Sequence, residues 1–178
     1  MRIGFLGPWL GRRFKAASTA ATEQPTIVSE DAESQFNLGW SFASPDGASH
    51  DYEQAAEWYS KAARQGHSVA QFNLGLMYGQ GRGVVRNEAT AGMWLRKAAE
   101  LGHAGAQYYV GVGQHRASKS VQQSEASECR IEAFKWLQLA VVPGYRGAES
   151  AREFVALGMT RDEVDEGGRR ARAFLAGL

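Results

Sequence analysis

The sequence predicts an all-α fold, a solenoid of stacked antiparallel helix pairs. Two blocks that recur with one shared period predict it, together with an excess of glycine that falls at fixed places within that period. The first block, Gln35-Phe36-Asn37-Leu38-Gly39, returns as Gln71-Phe72-Asn73-Leu74-Gly75 and, more loosely, as Gln107-Tyr108-Tyr109-Val110-Gly111, 36 residues apart each time. The second block runs from Ala55-Ala56-Glu57-Trp58-Tyr59 to Lys61-Ala62-Ala63. It returns 36 residues later as Ala91-Gly92-Met93-Trp94-Leu95 with Lys97-Ala98-Ala99, and 42 residues after that as Ala133-Phe134-Lys135-Trp136-Leu137. The extra residues of the third copy fall in the polar stretch between Ala117 and Cys129. There are 21 glycines in 178 residues, against a usual share of about 7%.

Each element follows from its residues. Ala55, Trp58, Tyr59 and Ala62 stand at i, i+3, i+4 and i+7, one stripe of a 3.6-residue helix. Asp51 and, in the next copy, Asn87 stand where an N-cap acceptor is wanted, and Gln54 follows Asp51 in capping-box spacing. Gly66, Gly102 and Gly144 close the second helices, where the C′ residue takes a left-handed conformation. Gly39, Gly75 and Gly111 lie inside the first helices, where glycine costs about 1 kcal/mol relative to alanine. Three in register predict close approach of the partner helix. The units span 32–67, 68–103 and 104–145. A lone pair cannot bury its apolar stripe, so the pairs must stack, and 146–178 supplies two capping helices. The last of these opens with Thr160-Arg161-Asp162-Glu163, a capping box, and its Arg169, Arg170 and Arg172 suit a solvent-facing side.

Composition bounds the function. The charge is balanced, 20 Lys+Arg against 19 Asp+Glu, which argues against a nucleic-acid binder held by bulk positive charge. No apolar run approaches the ~18 residues of a membrane span. The single cysteine, Cys129, forbids an intrachain disulfide and a cysteine-built zinc site. It aligns with Asn87 at a helix start and has no base beside it in sequence, so it reads as inert. His67 and His103 each follow a C′ glycine, and stacking holds such positions about 10 Å apart, which is repeat spacing rather than a metal pair. Gly79-Gln80-Gly81-Arg82-Gly83 lacks both the preceding strand and the Gly-Lys-Ser/Thr of a phosphate loop. No catalytic residue, cofactor or metal is expected.

At Gln71-Phe72-Asn73-Leu74-Gly75, Met77-Tyr78, Gly81-Arg82-Gly83-Val84, Asn87, Trp94, Lys97-Ala98-Ala99 and Gly102 the chain resembles the Sel-one-like repeat family, a relative of the tetratricopeptide repeat. The likeness covers about residues 32–157. Copy one carries Pro45-Asp46-Gly47 at the interhelix turn instead, and copy three loses the loop pattern. The resemblance implies a right-handed solenoid that acts as an adaptor, binding a protein or peptide on the concave face lined by the first helices. That face would carry Phe36, Asn37 and Trp40, then Phe72, Asn73 and Leu76, then Tyr108, Tyr109, Val112 and His115. Phe36, Phe72 and Tyr108 fit inter-repeat core as well as groove. Asn37 and Asn73 either bridge repeats or present amides to a bound backbone. Trp40 is the expected contact, since Trp58, Trp94 and Trp136 fill the repeat's own tryptophan position. The residues named for this face include no Lys or Arg, so an apolar, salt-insensitive groove is expected.

Residues 1–31 form a separate arm. Arg2, Arg12, Arg13 and Lys15 interleave with Ile3, Phe5, Leu6, Trp9, Leu10 and Phe14, and Gly4, Gly7 and Pro8 interrupt any signal-peptide core. The expectation is a cytoplasmic adaptor with an arm that is mobile or packs on the first repeat. The alternatives are a peripheral membrane adaptor anchored by the arm, an exported protein, and a hydrolase or β-lactam-binding protein of the same repeat family. Serine chemistry of the β-lactamase kind gets no support, since Ser-x-x-Lys is absent.

Overall fold

The computed structural model describes residues 30–44 and 51–177. The arm expected over 1–31 lies almost wholly outside the described residues, and so does the Pro45-Asp46-Gly47 turn. Eight helices follow one another with no strand among the described residues: α1 (Ala32–Ala43), α2 (Tyr52–Arg64), α3 (Ser68–Gln80), α4 (Glu88–Glu100), α5 (Ala104–Ala117), α6 (Gln123–Val141), α7 (Ala148–Ala156) and α8 (Arg161–Ala176). From α1 to α7 each helix packs on the next, which makes an α-solenoid of helix pairs.

Helix starts are fixed by side-chain caps. Asp51 accepts from the Gln54 N–H and Asn87 from the Thr90 N–H. Thr160 and Glu163 satisfy each other's backbone N–H groups in a full capping box. Gly66, Gly102 and Gly144 have φ of +88°, +82° and +77°, the conformation the C′ position demands.

Pairing depends on small residues. A Cβ on Gly39 would lie 2.7 Å from Tyr59 Cδ1, one on Gly75 2.8 Å from Leu95 Cγ, and one on Gly111 2.7 Å from Leu137 Cγ. The three glycines thus seat equivalent side chains of the partner helices. Ala55, Ala62, Ala98, Ala99, Ala133 and Ala140 are fully buried opposite them and between the units. Trp136 is buried, whereas Trp58 and Trp94 are half-covered, with Lys61 Nζ 3.8 Å and Lys97 Nζ 4.8 Å from their ring centroids. The loop after α3 is pressed onto the preceding unit: Gly83 lies so close that a Cβ would fall 2.0 Å from Tyr52 O.

The third unit departs from the expected plan. α6 has 19 residues against 13 in α2 and α4. The inserted residues extend it at its N-terminus, so Cys129 sits within the helix rather than at its cap. That extension docks the chain's end. α8 packs on α6, not as the second half of a pair with α7. Gly167 meets Phe134, Ser127 and Arg130 both donate to Glu163, and Arg170 bridges Glu128, Glu132 and Glu166. Arg170, expected on the solvent side, therefore faces α6. The positive end groups of this ion network come from α6 and α8 alike, so it fixes the rotation of one helix against the other.

Candidate functional site

The repeated pattern of the units first sets how their rings are packed. Phe36 stacks on His67 at 4.6 Å between ring centroids and on Tyr59 at 5.7 Å. Phe72 stacks on His103 at 4.4 Å, and Tyr108 packs against Tyr145 at 5.2 Å. These three rings are half-buried against the core at the joints between units, and none of them lines the two hollows described below. His67 and His103 are themselves N-caps: each Nδ1 accepts from a backbone N–H, of Ala70 and Ala106, at 3.1 Å. Gln71 and Gln107 tie the same joints from the other side, donating from Nε2 to the carbonyls of Ala63 and Ala99 at the ends of the preceding helices. His115 points away from the first-helix face. Its ring stands edge-on to Phe154 of α7 at 5.6 Å, and burial, aided by Lys119 and Arg130, pushes its pKa down.

What remains open is a groove of about 560 Å³ between α3, α4 and α5. α4 packs on both neighbours and forms its floor, while α3 and α5 make the two walls. Leu76 lines it from α3, Leu95 from α4, and Tyr109, Val110 and Val112 from α5. Gly79, Gly92 and Gly113 also line it. A Cβ on Gly92 or Gly113 would meet nothing within 4 Å, so neither glycine is needed for packing. Arg86, Glu88, Arg96 and Arg116 bring charge to its edges, and Arg86 is ion-paired to Glu88. The expectation of a groove without cations is therefore corrected. The first helices carry the predicted apolar and aromatic residues, but α4 and the end of α5 add arginines to the walls.

A second hollow, of about 200 Å³, adjoins the first and shares Leu76 and Gln80 with it. Trp40, 58% exposed, and Asn73 line it together with Tyr52, Tyr59 and Arg82. Burial pushes the Tyr59 pKa up, and the Asn73 amide beside it on α3 acts in the opposite direction. Asn37 is exposed on α1 and lines neither hollow. The structure thus divides the predicted residues. Trp40, Asn73 and Leu76 share one hollow, and Leu76, Tyr109 and Val112 share the larger groove. Phe36, Phe72, Tyr108 and His115 are half-buried against other rings and line neither hollow. No group of three His, Cys, Asp or Glu among the described residues is arranged to hold a metal ion, and no described helix is long and apolar enough to cross a membrane.

Comparison with known proteins places this geometry. The Sel1 repeat model matches residues 32–67, 68–103 and 130–141. The chain carries Sel1 repeats. The third match is confined to the second helix of its unit, where the loop pattern has been lost and α6 lengthened. Two solved structures share the Sel1-repeat solenoid. One is a protective antigen of uropathogenic Escherichia coli strains displaying an SLR fold, 28% identical with a TM-score of 0.68 over 82% of this chain and 30% of that one. The other is a Sel1 repeat protein from Oxalobacter formigenes, 28% identical with a TM-score of 0.63 over 79% of this chain and 57% of that one. The chain therefore spans less than two thirds of either structure's length. No curated protein matches it. Sel1 repeats generally serve as non-catalytic scaffolds for protein–protein interaction.

Proposed function

We propose that this chain is an interaction adaptor that holds a segment of its partner in the groove between α3, α4 and α5. One observation carries the reading: the groove is lined by helical glycines, Gly92 on its floor and Gly113 on a wall, above which there is open space. Each costs its helix about 1 kcal/mol relative to alanine with no packing contact to offset it. A cleft kept open at the expense of local stability is what a binding site requires and what a purely structural repeat does not. The walls are preformed by stacking, so a bound segment bears most of the ordering cost and the receptor little. Trp40 in the adjoining hollow offers the next contact along the same face.

Panning a random-sequence peptide library on the folded chain tests this. Gly92→Phe and Gly113→Phe fill the groove from positions where a side chain meets no neighbour. Selected peptides should bind the parent and lose binding to both variants, whose circular dichroism stays unchanged. Peptides that bind both variants as well as the parent would place the site elsewhere.

A further inference from the structure

The same groove carries an unbalanced charge. Its charged lining is Arg86, Arg96 and Arg116 against one carboxylate, Glu88. That carboxylate is already held by Arg86, whose hydrogen bond and charge, with a smaller contribution from Arg116, keep the Glu88 pKa below its ordinary value. Neither Arg96 nor Arg116 forms an ion pair with any described residue. The contrast lies within the same fold. Between α6 and α8, Arg130 is matched by Glu163, and Arg170 by Glu128, Glu132 and Glu166. Where this solenoid uses arginine to hold helices together it supplies the carboxylates. At the groove Glu88 answers Arg86, and Arg96 and Arg116 are left without an ion pair among the described residues.

Resting on the groove as the binding surface, we infer that its occupant is an acidic protein segment: an apolar anchor seated over Gly92 and Gly113, flanked by carboxylates that pair with Arg96 and Arg116. The same two helices meet both requirements, α4 with Leu95 and Arg96 and α5 with Val112 and Arg116. Leu76, Leu95 and Val112 provide the apolar seat, and the planar guanidinium fork takes a carboxylate by two parallel hydrogen bonds. The same charges disfavour a basic segment. The chain's own first residues, with Arg2, Arg12, Arg13 and Lys15 and no acid before Glu23, are thereby a poor occupant.

The random-sequence library separates this inference from the groove assignment. It is panned at low salt on the full chain, on Arg96→Glu/Arg116→Glu and on Gly113→Phe. The pool selected by the parent should be enriched in Asp and Glu, and the pool selected by the double reversal in Lys and Arg. That exchange of preference cannot arise from misfolding. A synthetic peptide from the acidic pool should lose about tenfold in affinity on the double reversal and weaken as salt is raised. It should not bind Gly113→Phe. Parent and double-reversal pools of equal mean charge, each lost on Gly113→Phe, would overturn the acidic preference and leave the groove standing. An acidic preference that survives Gly113→Phe, or no enrichment on the parent, would overturn both.

Discussion

The His103 imidazole stacks on the Phe72 ring at 4.4 Å between centroids while its Nδ1 accepts the Ala106 N–H at 3.1 Å. His103, the last residue of its unit, thus caps the first helix of the next unit while it stacks on a ring of its own. His67 does the same with Phe36 and Ala70. In the third joint Tyr145 stands in the histidine's place against Tyr108, and α7 begins at Gly147–Ala148 without a side-chain cap. Ring stacking and cap bonding each contribute on the order of 1 kcal/mol, so these joints set the rigidity of the stack.

The cap makes the fold sensitive to acid. Burial lowers the His103 pKa from 6.5, and its Nδ1 must stay unprotonated to accept. The unfolded chain then binds the proton more readily than the folded one. Stability is full above about pH 6.5 and falls as pH drops through the depressed value. His115, also lowered by burial, adds in the same direction. Melting temperature should therefore decline between neutral pH and about pH 5. His103→Asn, which keeps a cap acceptor but does not titrate, should show a shallower decline. An unchanged slope would remove His103 from the linkage.

Glycines of different kinds should respond in opposite senses. Gly66→Val and Gly102→Val place a β-branched residue at φ near +85°, where no neighbour clashes but the backbone itself resists. Each should destabilise by more than about 1 kcal/mol. Gly75→Ala should also destabilise, because its Cβ would meet Leu95 at 2.8 Å. Gly92→Ala should instead stabilise by up to about 1 kcal/mol, having helical propensity to gain and nothing to strike. Urea melts of the four variants check the ordering.

The C-terminal helix should be indispensable. α8 covers Trp136 and Phe134 through Phe174, Ala171 and Gly167. Deleting 146–178 should cause aggregation or loss of helicity, because a terminal unit needs an outer cap. A soluble, equally stable 1–145 fragment would contradict this. Burial pushes the Glu163 carboxyl upward, but hydrogen bonds from Ser127, Arg130 and the Thr160 N–H, with the Arg130 charge, outweigh it and hold the pKa at about 2. Its contribution to stability is complete above its ordinary value of 4.5 and is lost as pH falls toward about 2. The difference in melting temperature between the parent and Glu163→Gln should shrink across that interval.

The solenoid was legible in the sequence because its grammar is local. Gly39, Gly75 and Gly111 mark close approach whatever surrounds them, since only an absent side chain explains a repeated helix-breaker. The caps made by His67 and His103 were not legible, although both stand one residue before a first helix. Histidine is an uncommon N-cap, and its stacking partner lies at the far end of its unit in sequence. The length of α6 was hidden by the polar composition of its extension, which suits a solvated helix as well as a loop. The binding face was legible only in part. Periodicity along the first helices finds Leu76, Tyr109 and Val112, but Arg96 comes from α4 and Arg86 from a loop. Their meeting at one groove is a product of stacking, which no single stripe records. Phe36 and Phe72 were ambiguous for the same reason: a ring on that flank faces either the groove or the next unit, and the partner histidine decides.

Trp40 carries a prediction of its own. The residue is 58% exposed beside the second hollow, and its one aromatic contact among the described residues is to Phe36 at 6.4 Å. Trp40→Ala should leave helical content nearly unchanged. If the bound segment runs on from the groove past Leu76, the same change should weaken binding by about 2 kcal/mol or more. A loss of helicity on substitution would make Trp40 core.

Backbone amide spectra of the labelled chain, recorded while a groove-selected peptide is titrated in, test the central claim most directly. The glycine N–H signals report separate places in the fold. The account predicts that Gly79, Gly92 and Gly113 shift on binding while Gly66 and Gly102, at the turns, and Gly167, where α8 meets Phe134, stay where they are. Shifts at Gly66, Gly102 or Gly167 with Gly92 and Gly113 unmoved would contradict it.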